Sequence, residues 1–219
     1  MVWSEAAPGV FTAEIVDKSD APQLRVTRRW GLTPDSFDLT LEQRVQNLGS
    51  APHTVRWVQF GPGDLLRDAN ELVDTRRYQA GYLMSAERDP AQQTVIAHGA
   101  TLDHSAVVKQ VDAGDFLLWP TARQKQEQYG LSWFGATNRY FSLAVHAPYA
   151  PPANDSKLAA PAIADIRAQT GDLLHDGKAE RAVFTEATSA PVVIAPGQSA
   201  SFDMGVFAGP LDRQLLSTT

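Results

Sequence analysis

The sequence contains no cysteine among its 219 residues. Such a chain forms neither disulfide bonds nor a thiolate nucleophile, so a disulfide-dependent fold and cysteine-based catalysis are both excluded. The absence is compatible with the cytoplasm and with the periplasm of Gram-negative bacteria. The cysteine count therefore restricts the chemistry of the protein more than its compartment.

Long apolar runs are also missing. A membrane-spanning helix needs about 20 consecutive apolar residues, whereas the longest runs here, such as FLLW and PVVIAP, have the length of a strand. The first residues, MVWSEAAPGVF, have neither the basic segment nor the apolar core of a signal peptide. We therefore expect either a cytoplasmic protein or a piece of a longer one whose targeting signal lies elsewhere.

Concentrated positive charge is a third feature that the sequence lacks. The formal net charge is -6, and arginine occurs mostly singly or in the pairs Arg28-Arg29 and Arg76-Arg77. Because proteins that follow a nucleic-acid backbone carry a basic stripe, this distribution argues against nucleic-acid binding. Hydrophobic residues make up 43% of the chain and charged residues 20%, so a substantial core is expected, in one domain spanning residues 1–219.

The segment SFDLTLEQRV carries the clearest periodic signal. Phe37, Leu39, Leu41 and Val45 share one parity, with polar residues between them, as in a strand that buries one face. The turn-forming segment NLGSAP follows, and a second strand-like run occupies residues 53–60. The pattern predicts an antiparallel hairpin.

Further strand-like runs recur along the chain between clusters of Gly, Pro, Asp and Asn. They occupy residues 10–16, 23–31, 77–83, 94–98, 106–111, 116–119, 140–146, 182–186, 192–195 and 201–207. This arrangement predicts an all-β protein, an antiparallel sandwich or barrel. Helical signals are few: IADIRAQTGDLLH fits a helix or a strand, HAPYAPPANDS is predicted to be a loop, and a helix is predicted to begin at residues 211–219, after Pro210.

The histidines match no known metal-binding pattern. His98 and His104 flank GATLD, with Asp103 beside the second, but this spacing is not that of a zinc motif. The other histidines are His53, His146 and His175. We interpret all five as surface residues or hydrogen-bonded core residues.

Catalytic motifs are also weak. GLSWFG is one residue longer than the GxSxG elbow of serine hydrolases and precedes a strand-like run rather than a helix. Asp112 and Asp115 could meet across the DAGD turn, but paired acids act on glycosides only across a sugar-sized gap, and solvated turn acids are the simpler interpretation. The GPG at residues 61–63 lacks the Lys and Ser/Thr of a phosphate-binding loop.

The stretch GLSWFGATNRYFSLAVHAP concentrates aromatic residues around a turn. Trp133 and Phe134 precede GATN, whereas Tyr140 and Phe141 follow it in a strand with apolar side chains on both faces. Such a strand is usually central, and cross-strand aromatic pairs stabilise a sheet by roughly 0.2–1 kcal/mol each. We predict a hairpin in the core of the sheet; a platform for stacking carbohydrate is the alternative.

Together with PVVIAPGQSASFDMGVFAGPLDRQLL, this stretch resembles the large periplasmic domain of the YidC-type membrane protein insertases. That family has a strand of the form WxxxxxxYF ending in an apolar-Pro step, then PVxxxPG[QE], then a strand ending in GP, and LEQRVQNLGSAP resembles an earlier strand and turn. The matching residues are Trp133, Tyr140, Phe141, Pro148, Pro191, Val192, Pro196, Gly197, Gln198, Val206, Gly209 and Pro210. The resemblance extends over residues 37–216.

The resemblance implies a fold, a location and partners. The fold would be an antiparallel β-supersandwich of the galactose-mutarotase type, followed by a helix leading to a transmembrane bundle. The domain would lie on the periplasmic side of the inner membrane, contact membrane protein substrates and the Sec translocon, and contain no cofactor, metal or catalytic residue. Its sheet edges could accept an extended segment as an added strand, because an edge has unpaired N–H and C=O groups.

An enzyme or lectin of the mutarotase-like class is the alternative function. An epimerase needs a general acid and a general base that converge on the sugar. His98, His104 or His146 could act with Glu127 or Glu186, and no spacing selects a pair. A stand-alone adhesion or scaffold module is a third interpretation.

Overall fold

Antiparallel strands make up most of the computed structural model, which describes residues 2–32, 34–67, 73–83, 98–126, 129–146, 163–175 and 178–211. The strands are β1 Ser4–Ala7, β2 Val10–Val16, β3 Pro22–Leu32, β4 Asp38–Asn47, β5 His53–Val55, β6 Val58–Phe60, β7 Arg77–Leu83, β8 His98–Asp103, β9 Leu117–Trp119, β10 Gly130–Thr137, β11 Phe141–His146, β12 Asp165–His175, β13 Lys178–Thr188, β14 Val192–Ile194, β15 Ser199–Ser201 and β16 Met204–Pro210. The helices in these residues are α1 His104–Asp112 and α2 Ala122–Gln126. The all-β prediction is confirmed.

The strands form two main sheets and a two-stranded ribbon. The larger sheet has the order β1-β2-β3-β4-β16-β11-β10-β7-β8, with β15 also paired to β4. The smaller sheet has the order β6-β13-β12-β9, and β14 pairs with β5 in the ribbon. Strand β11 pairs with β10 and β16, so the predicted central position of the aromatic hairpin is confirmed.

The main core contains side chains from both sheets and from α1. Tyr78 and Phe134 of the larger sheet and Ile166 of the smaller sheet are at most 2% exposed. Helix α1 adds Val107 and Val111, which lie four residues apart on the same helical face. No helix among the described residues is long and apolar enough to span a bilayer.

The predicted hairpin between the strand at Phe37–Val45 and residues 53–60 is wrong. The alternation itself is correct, but β4 pairs with β3 on one side and with β15 and β16 on the other. The second run is divided: β5 pairs with β14, and β6 pairs with β13 of the smaller sheet. Trp57, between β5 and β6, is buried and stacks on Phe202, with ring centroids 5.7 Å apart. Burial of this large side chain outweighs the local turn signal.

Residues 106–111 form most of α1 and not the predicted strand. Valine favours strands, but burial of one helical face against the core decides the structure here. Residues 165–175 take the strand alternative and pair with β13 along their whole length. The run at residues 201–207 is split at Phe202 and Asp203, between β15 and β16. Residues 94–97, the loop after His146 and the predicted helix from residue 212 onward lie outside the described residues.

Candidate functional site

A transverse row of residues crosses seven strands on the outer face of the larger sheet. We call it the outer row. From β8 to β3 it contains Gly99, Gly81, Trp133, His146, Gly205, Thr40 and Gly31. Directly paired residues on neighbouring strands share a face, and the next residues along these strands, such as Phe134 and Val145, belong to the main core. The outer row therefore points away from the core.

Glycines in the outer row leave space for its two rings. A Cβ atom at Gly81 would overlap the indole of Trp133, and one at Gly205 would overlap the imidazole of His146. Each ring thus lies over the backbone of a neighbouring strand, where only glycine is small enough. Neither Gly81 nor Gly205 has a positive φ. Glycine is therefore needed at these two positions for its small size and not for its backbone conformation.

A groove of about 440 Å³ opens beside the imidazole of His146, above β4 and the start of β16. Its polar side chains are Ser36, Asp38, Thr40, Glu42, His146 and Asp203. His146 Nε2 lies 3.3 Å from Asp38 Oδ1. A cleft of this volume with converging polar groups is typical of a site for a small ligand.

A buried charge cluster lies near the main core. The Arg76 guanidinium has Nη2 2.7 Å from Asp74 and 2.7 Å from Glu180, and its side chain is 6% exposed. His104, at the start of α1, has Nε2 2.8 Å from Asp64 and Nδ1 3.4 Å from Asp74. Because these residues lie on the loop after β6, the segment before β7, α1 and β13, the cluster connects four parts of the chain.

The charge cluster changes the acidity of its members. Burial alone raises the pKa of Asp74, but the hydrogen bonds and charge of Arg76 outweigh it and hold the pKa of Asp74 below its ordinary value. Burial, followed by the negative charge of Asp64, raises the pKa of Tyr78, whose hydroxyl donates a hydrogen bond to Asp64. Asp64 also accepts a hydrogen bond from the Val183 N–H at 2.8 Å. With so many partners inside the protein, the cluster holds the loop against the core.

The outer face of the smaller sheet exposes large hydrophobic side chains. They are Val58, Phe60, Leu117, Leu173 and Phe184, and we call this surface the apolar face. Phe60 is 74% exposed and Phe184 43% exposed. Phe184 packs close to Gly171 of the neighbouring strand.

Comparison with known families decides the assignment. Residues 12–219 match the family described as the YidC periplasmic domain. The chain belongs to this family. The resemblance inferred from the aromatic stretch and from the GP-terminated strand is thereby confirmed. No curated protein sequence gives a significant match.

Solved structures place the YidC-family chain in a known fold. A galactose mutarotase-like protein from Lactobacillus casei ATCC 334 is 8% identical with a TM-score of 0.54, over 94% of this chain and 72% of that protein. A galactose mutarotase related enzyme from Lactobacillus acidophilus is 9% identical with a TM-score of 0.47, over 94% and 70%. The Slr1438 protein from Synechocystis sp. PCC 6803 is 11% identical with a TM-score of 0.47, over 94% of this chain and 65% of that protein. The first likeness shows the fold, and the expected galactose-mutarotase-like supersandwich is confirmed.

Most of the YidC-family motif residues that the structure describes lie at strand ends and turns. Phe141 pairs with Pro210 at one end of the β11–β16 ladder, and Gly209 lies under the ring of Phe37. Pro196 and Gly197 form the turn before β15, where the Gly197 N–H donates to the Asn47 carbonyl.

Pro191 directly precedes β14, Trp133 belongs to the outer row, and Pro148 lies outside the described residues. The positions that the structure describes are backbone and packing positions. Their role as a structural family motif stays a prediction.

The predicted place of the aromatic hairpin in the core holds for only one of its four rings, because Trp133 is half-buried in the outer row. Phe134 is 2% exposed, but Tyr140 is 48% exposed and Phe141 is 54% exposed. Both exposed rings lie at the turn end of the hairpin. Arg139 lies over the Tyr140 ring at 5.4 Å.

The acid and base candidates whose side chains the structure describes do not converge. His104 belongs to the charge cluster, and His146 lies on the outer face of the larger sheet. Glu186 lies on the smaller sheet with the parity of Phe184, which points away from the core. His146 and Glu186 thus lie on opposite outer surfaces of the sandwich. Glu127 and the side chain of His98 lie outside the described residues.

The acidic turn residues have structural partners. Asp112 accepts hydrogen bonds from Arg181 and Thr170, and Asp115 accepts one from the Leu117 N–H. Asp103 pairs with Arg77 at 3.3 Å. Among the described residues, no group of three or more His, Cys, Asp or Glu side chains is arranged to hold a metal ion.

Neither the groove nor the charge cluster is predictable from local sequence patterns. Asp38 and His146 are separated by 108 positions in the chain, and His104 and Asp64 by 40. No local pattern connects residues at such separations. Only the sheet order brings them together.

Proposed function

We propose that this chain is a non-catalytic domain on the periplasmic side of an inner-membrane insertase. It assists the insertion and folding of membrane proteins by contacting their chains or the Sec translocon. Membership of the YidC periplasmic domain family supports the location. The apolar face is the observation that supports a contact role.

The apolar face suits hydrophobic polypeptide. Exposed apolar side chains grouped on one face of a folded protein often mark an interaction site, and burial of a side chain such as Phe60 is worth about 1.5–3 kcal/mol. Membrane segments are rich in Leu, Ile, Phe and Val, so a client chain supplies matching side chains. In the register of β12 and β13, Arg167 lies opposite Glu186 on this surface, so it also offers polar contacts that could position a bound segment.

Photocrosslinking in intact membranes tests the contact role. A photoreactive amino acid would replace Phe60 or Phe184 in the full-length insertase during synthesis of a membrane protein. The control position is Lys18, an exposed residue in the turn between β2 and β3. We expect adducts with nascent chains or Sec components from the two phenylalanine positions and few from Lys18. Equal adducts from all three positions, or none from the phenylalanines, would overturn the proposal.

An aldose mutarotation assay tests the non-catalytic assignment. The separation of His146 from Glu186 predicts that the chain does not accelerate mutarotation above the buffer rate. The assay follows the optical rotation of freshly dissolved aldoses with and without the 219-residue chain. Clear turnover would favour the mutarotase-like alternative.

A further inference from the structure

An arginine without a carboxylate partner lies on the inner face of β3. Arg28 has the parity of the buried residue Val26 on this strand, so its side chain points between the two sheets. Its Cζ atom lies 4.9 Å from the centroid of the Trp57 ring and 5.5 Å from that of the Trp3 ring. The guanidinium is therefore held between two indole rings, whose faces attract a cation.

Most of the hydrogen-bonding capacity of Arg28 is unused. A guanidinium has several N–H donors, but among the described residues only Gln59 Oε1 accepts from it, 3.2 Å from Nη2. Glu5 lies in the same transverse row as Arg28, but Phe11 lies between them, and Glu5 accepts a hydrogen bond from the Gly9 N–H. Burial lowers the pKa of Arg28, since removal from water disfavours the charged form. In this part of the chain the positive charge is therefore uncompensated.

Strand β6 forms an edge of the smaller sheet. In the segment from Trp57 to Gly61, the first and last residues form backbone hydrogen bonds with β13 and with the residue after it. Backbone groups alternate in direction along an antiparallel strand, so those of Val58 and Phe60 point away from β13. The Phe60 carbonyl accepts from the Gln59 side chain at 2.9 Å. The Phe60 N–H and both backbone groups of Val58 are therefore available to an added strand.

The strands of the two sheets are stacked in the same order. Strands β12 and β13 share the main core with β7, β10 and β11, whereas β6 reaches β3 through the contact between Gln59 and Arg28. A strand added beyond β6 continues this order over β2 and β1. Phe11, which pairs directly with Arg28, is partly exposed there, and Trp3 is 39% exposed. An added strand would cover both rings.

We propose that the open edge of β6 binds an extended polypeptide segment as an added strand, and that Arg28 binds a carboxylate side chain of this segment. The segment pairs with the backbone of Val58 and Phe60, and its inward side chains pack on Trp3 and Phe11. The indole rings on both sides hold the plane of the guanidinium, which suits it to a carboxylate. This site rests on the proposed contact role, because the segment belongs to a contacted protein, and it specifies an acidic residue in that segment.

Peptide titration of the ¹⁵N-labelled chain, followed by nuclear magnetic resonance, tests the site. The probe is an end-capped peptide of about six residues, built from valine and threonine with one central glutamate. The matched control peptide has glutamine in place of the glutamate. We expect saturable shifts of the Trp57 indole signal and of the Val58 and Phe60 amide signals. The glutamate peptide should bind about tenfold more tightly, because hydrogen bonds between charged groups are about twice as strong as neutral ones.

Three further probes separate the segment from its charge. N-methylation of all backbone nitrogen atoms of the glutamate peptide removes the donors of a strand and should abolish binding. Sodium acetate carries the carboxylate alone, and vesicles of phosphatidylglycerol carry anionic groups on a lipid surface. Neither should shift these signals at the concentrations at which the peptide binds. Binding of acetate or of vesicles in place of the peptide would overturn the proposal.

A pair of arginine variants on β3 places the charge recognition. Arg25 is exposed and pairs with Glu14 at 2.8 Å. Arg28→Gln should remove the preference for the glutamate peptide, and Arg25→Gln should keep it. Equal affinity of the wild type for the two peptides, or equal effects of the two substitutions, would overturn the proposal. The comparison of the two peptides uses the wild type, so it decides even if Arg28→Gln does not fold.

The peptide titration fails or succeeds separately from the contact role. It uses neither membranes nor other insertase parts. Absence of peptide binding would overturn the edge site, whereas crosslinks from Phe184 would still support contact through the apolar face. Peptide binding without any crosslinks in membranes would support the edge site and overturn the contact role.

Discussion

The two faces of the larger sheet differ by a shift of one residue along each strand. The inner face has a row of Ala80, Phe134, Val145, Val206 and Leu39, paired across five strands. The next residue on each of these strands belongs to the outer row. Side chains fill the space between sheets on the inner face, whereas glycines leave space on the outer face.

This difference shows how one set of strands can provide both stability and a binding surface. The inner row buries apolar side chains, and the removal of apolar surface from water is the main driving force of folding. In the outer row, the half-buried rings of Trp133 and His146 lie over glycines of the neighbouring strands. Substitutions on the inner face should therefore affect stability most, and those on the outer face should affect the shape of the groove.

Phe134→Ala should have the largest effect. Removing a fully buried aromatic ring from the core costs about 3–5 kcal/mol, because the space is only partly refilled. Phe141→Ala, at the exposed end of the same hairpin, should change stability by less than about 1 kcal/mol. Urea unfolding of both variants measures the difference. Similar losses for the two would contradict the assignment of Phe134 to the inner face.

Arg76→Ala extends the comparison to the charge cluster at the border of the core. Removing one partner of a buried ion pair leaves the other charges uncompensated, so we expect a loss of about 3 kcal/mol. The free energy of unfolding again gives the result. Arg181→Ala should have a much smaller effect, because solvent screens its exposed ion pair with Asp112. A cluster that contributes nothing would give equal values for both variants.

Gly205→Val tests the outer face itself. The added side chain overlaps the imidazole of His146, so the ring must move, at a cost of about 1–3 kcal/mol. Gly99→Val is the matched control in the same row, since a Cβ there has nothing within 4 Å. We expect large shifts of the His146 ring signals in the first variant only. If both variants keep the wild-type ring signals, glycine is not what positions the imidazole.

Acidification should give the smallest effect. The folded-state pKa of Asp74 lies below the ordinary value of 3.8, so its contribution to stability is complete above that pH and is lost as the pH falls through the folded pKa. The wild type should therefore lose more stability than Asp74→Asn between about pH 5 and about pH 2. Parallel urea titrations of the two proteins measure the slopes. A steeper loss in the variant would contradict a lowered pKa of Asp74 in the folded state.

Local sequence patterns predicted strands well and their partners poorly. The alternation of Leu41 and Val45 identified β4, and the aromatic stretch identified the β10–β11 hairpin, because both signals lie within a short segment. The predicted turn at GATN is misplaced: its first three residues belong to β10, and the turn lies at residues 138–140. The partners of β4 were missed, since β16 follows it by more than 150 residues. Helix α1 was missed although Val107 and Val111 have helical spacing, because the six-residue window is too short to separate the two periods.

The candidate site was less predictable than the fold. Trp133 was noted for its aromatic ring, but nothing in the sequence connects it with Gly81, or His146 with Gly205. The carboxylate of Asp38 could have been assigned to the polar face of β4 from its alternation. That His146 faces it depends on the register of three strands, which is set by the packing of the whole sheet.

The sequence by itself determined the family, the strand-rich composition and the absence of thiol chemistry, because motifs, periodicity and residue counts are local or compositional properties. Tertiary structure alone decided which strands are neighbours, which aromatic rings are buried and where the groove opens. The reason is that side chains alternate between two faces of a sheet. Which of these faces meets another layer is settled only when distant strands pair and pack.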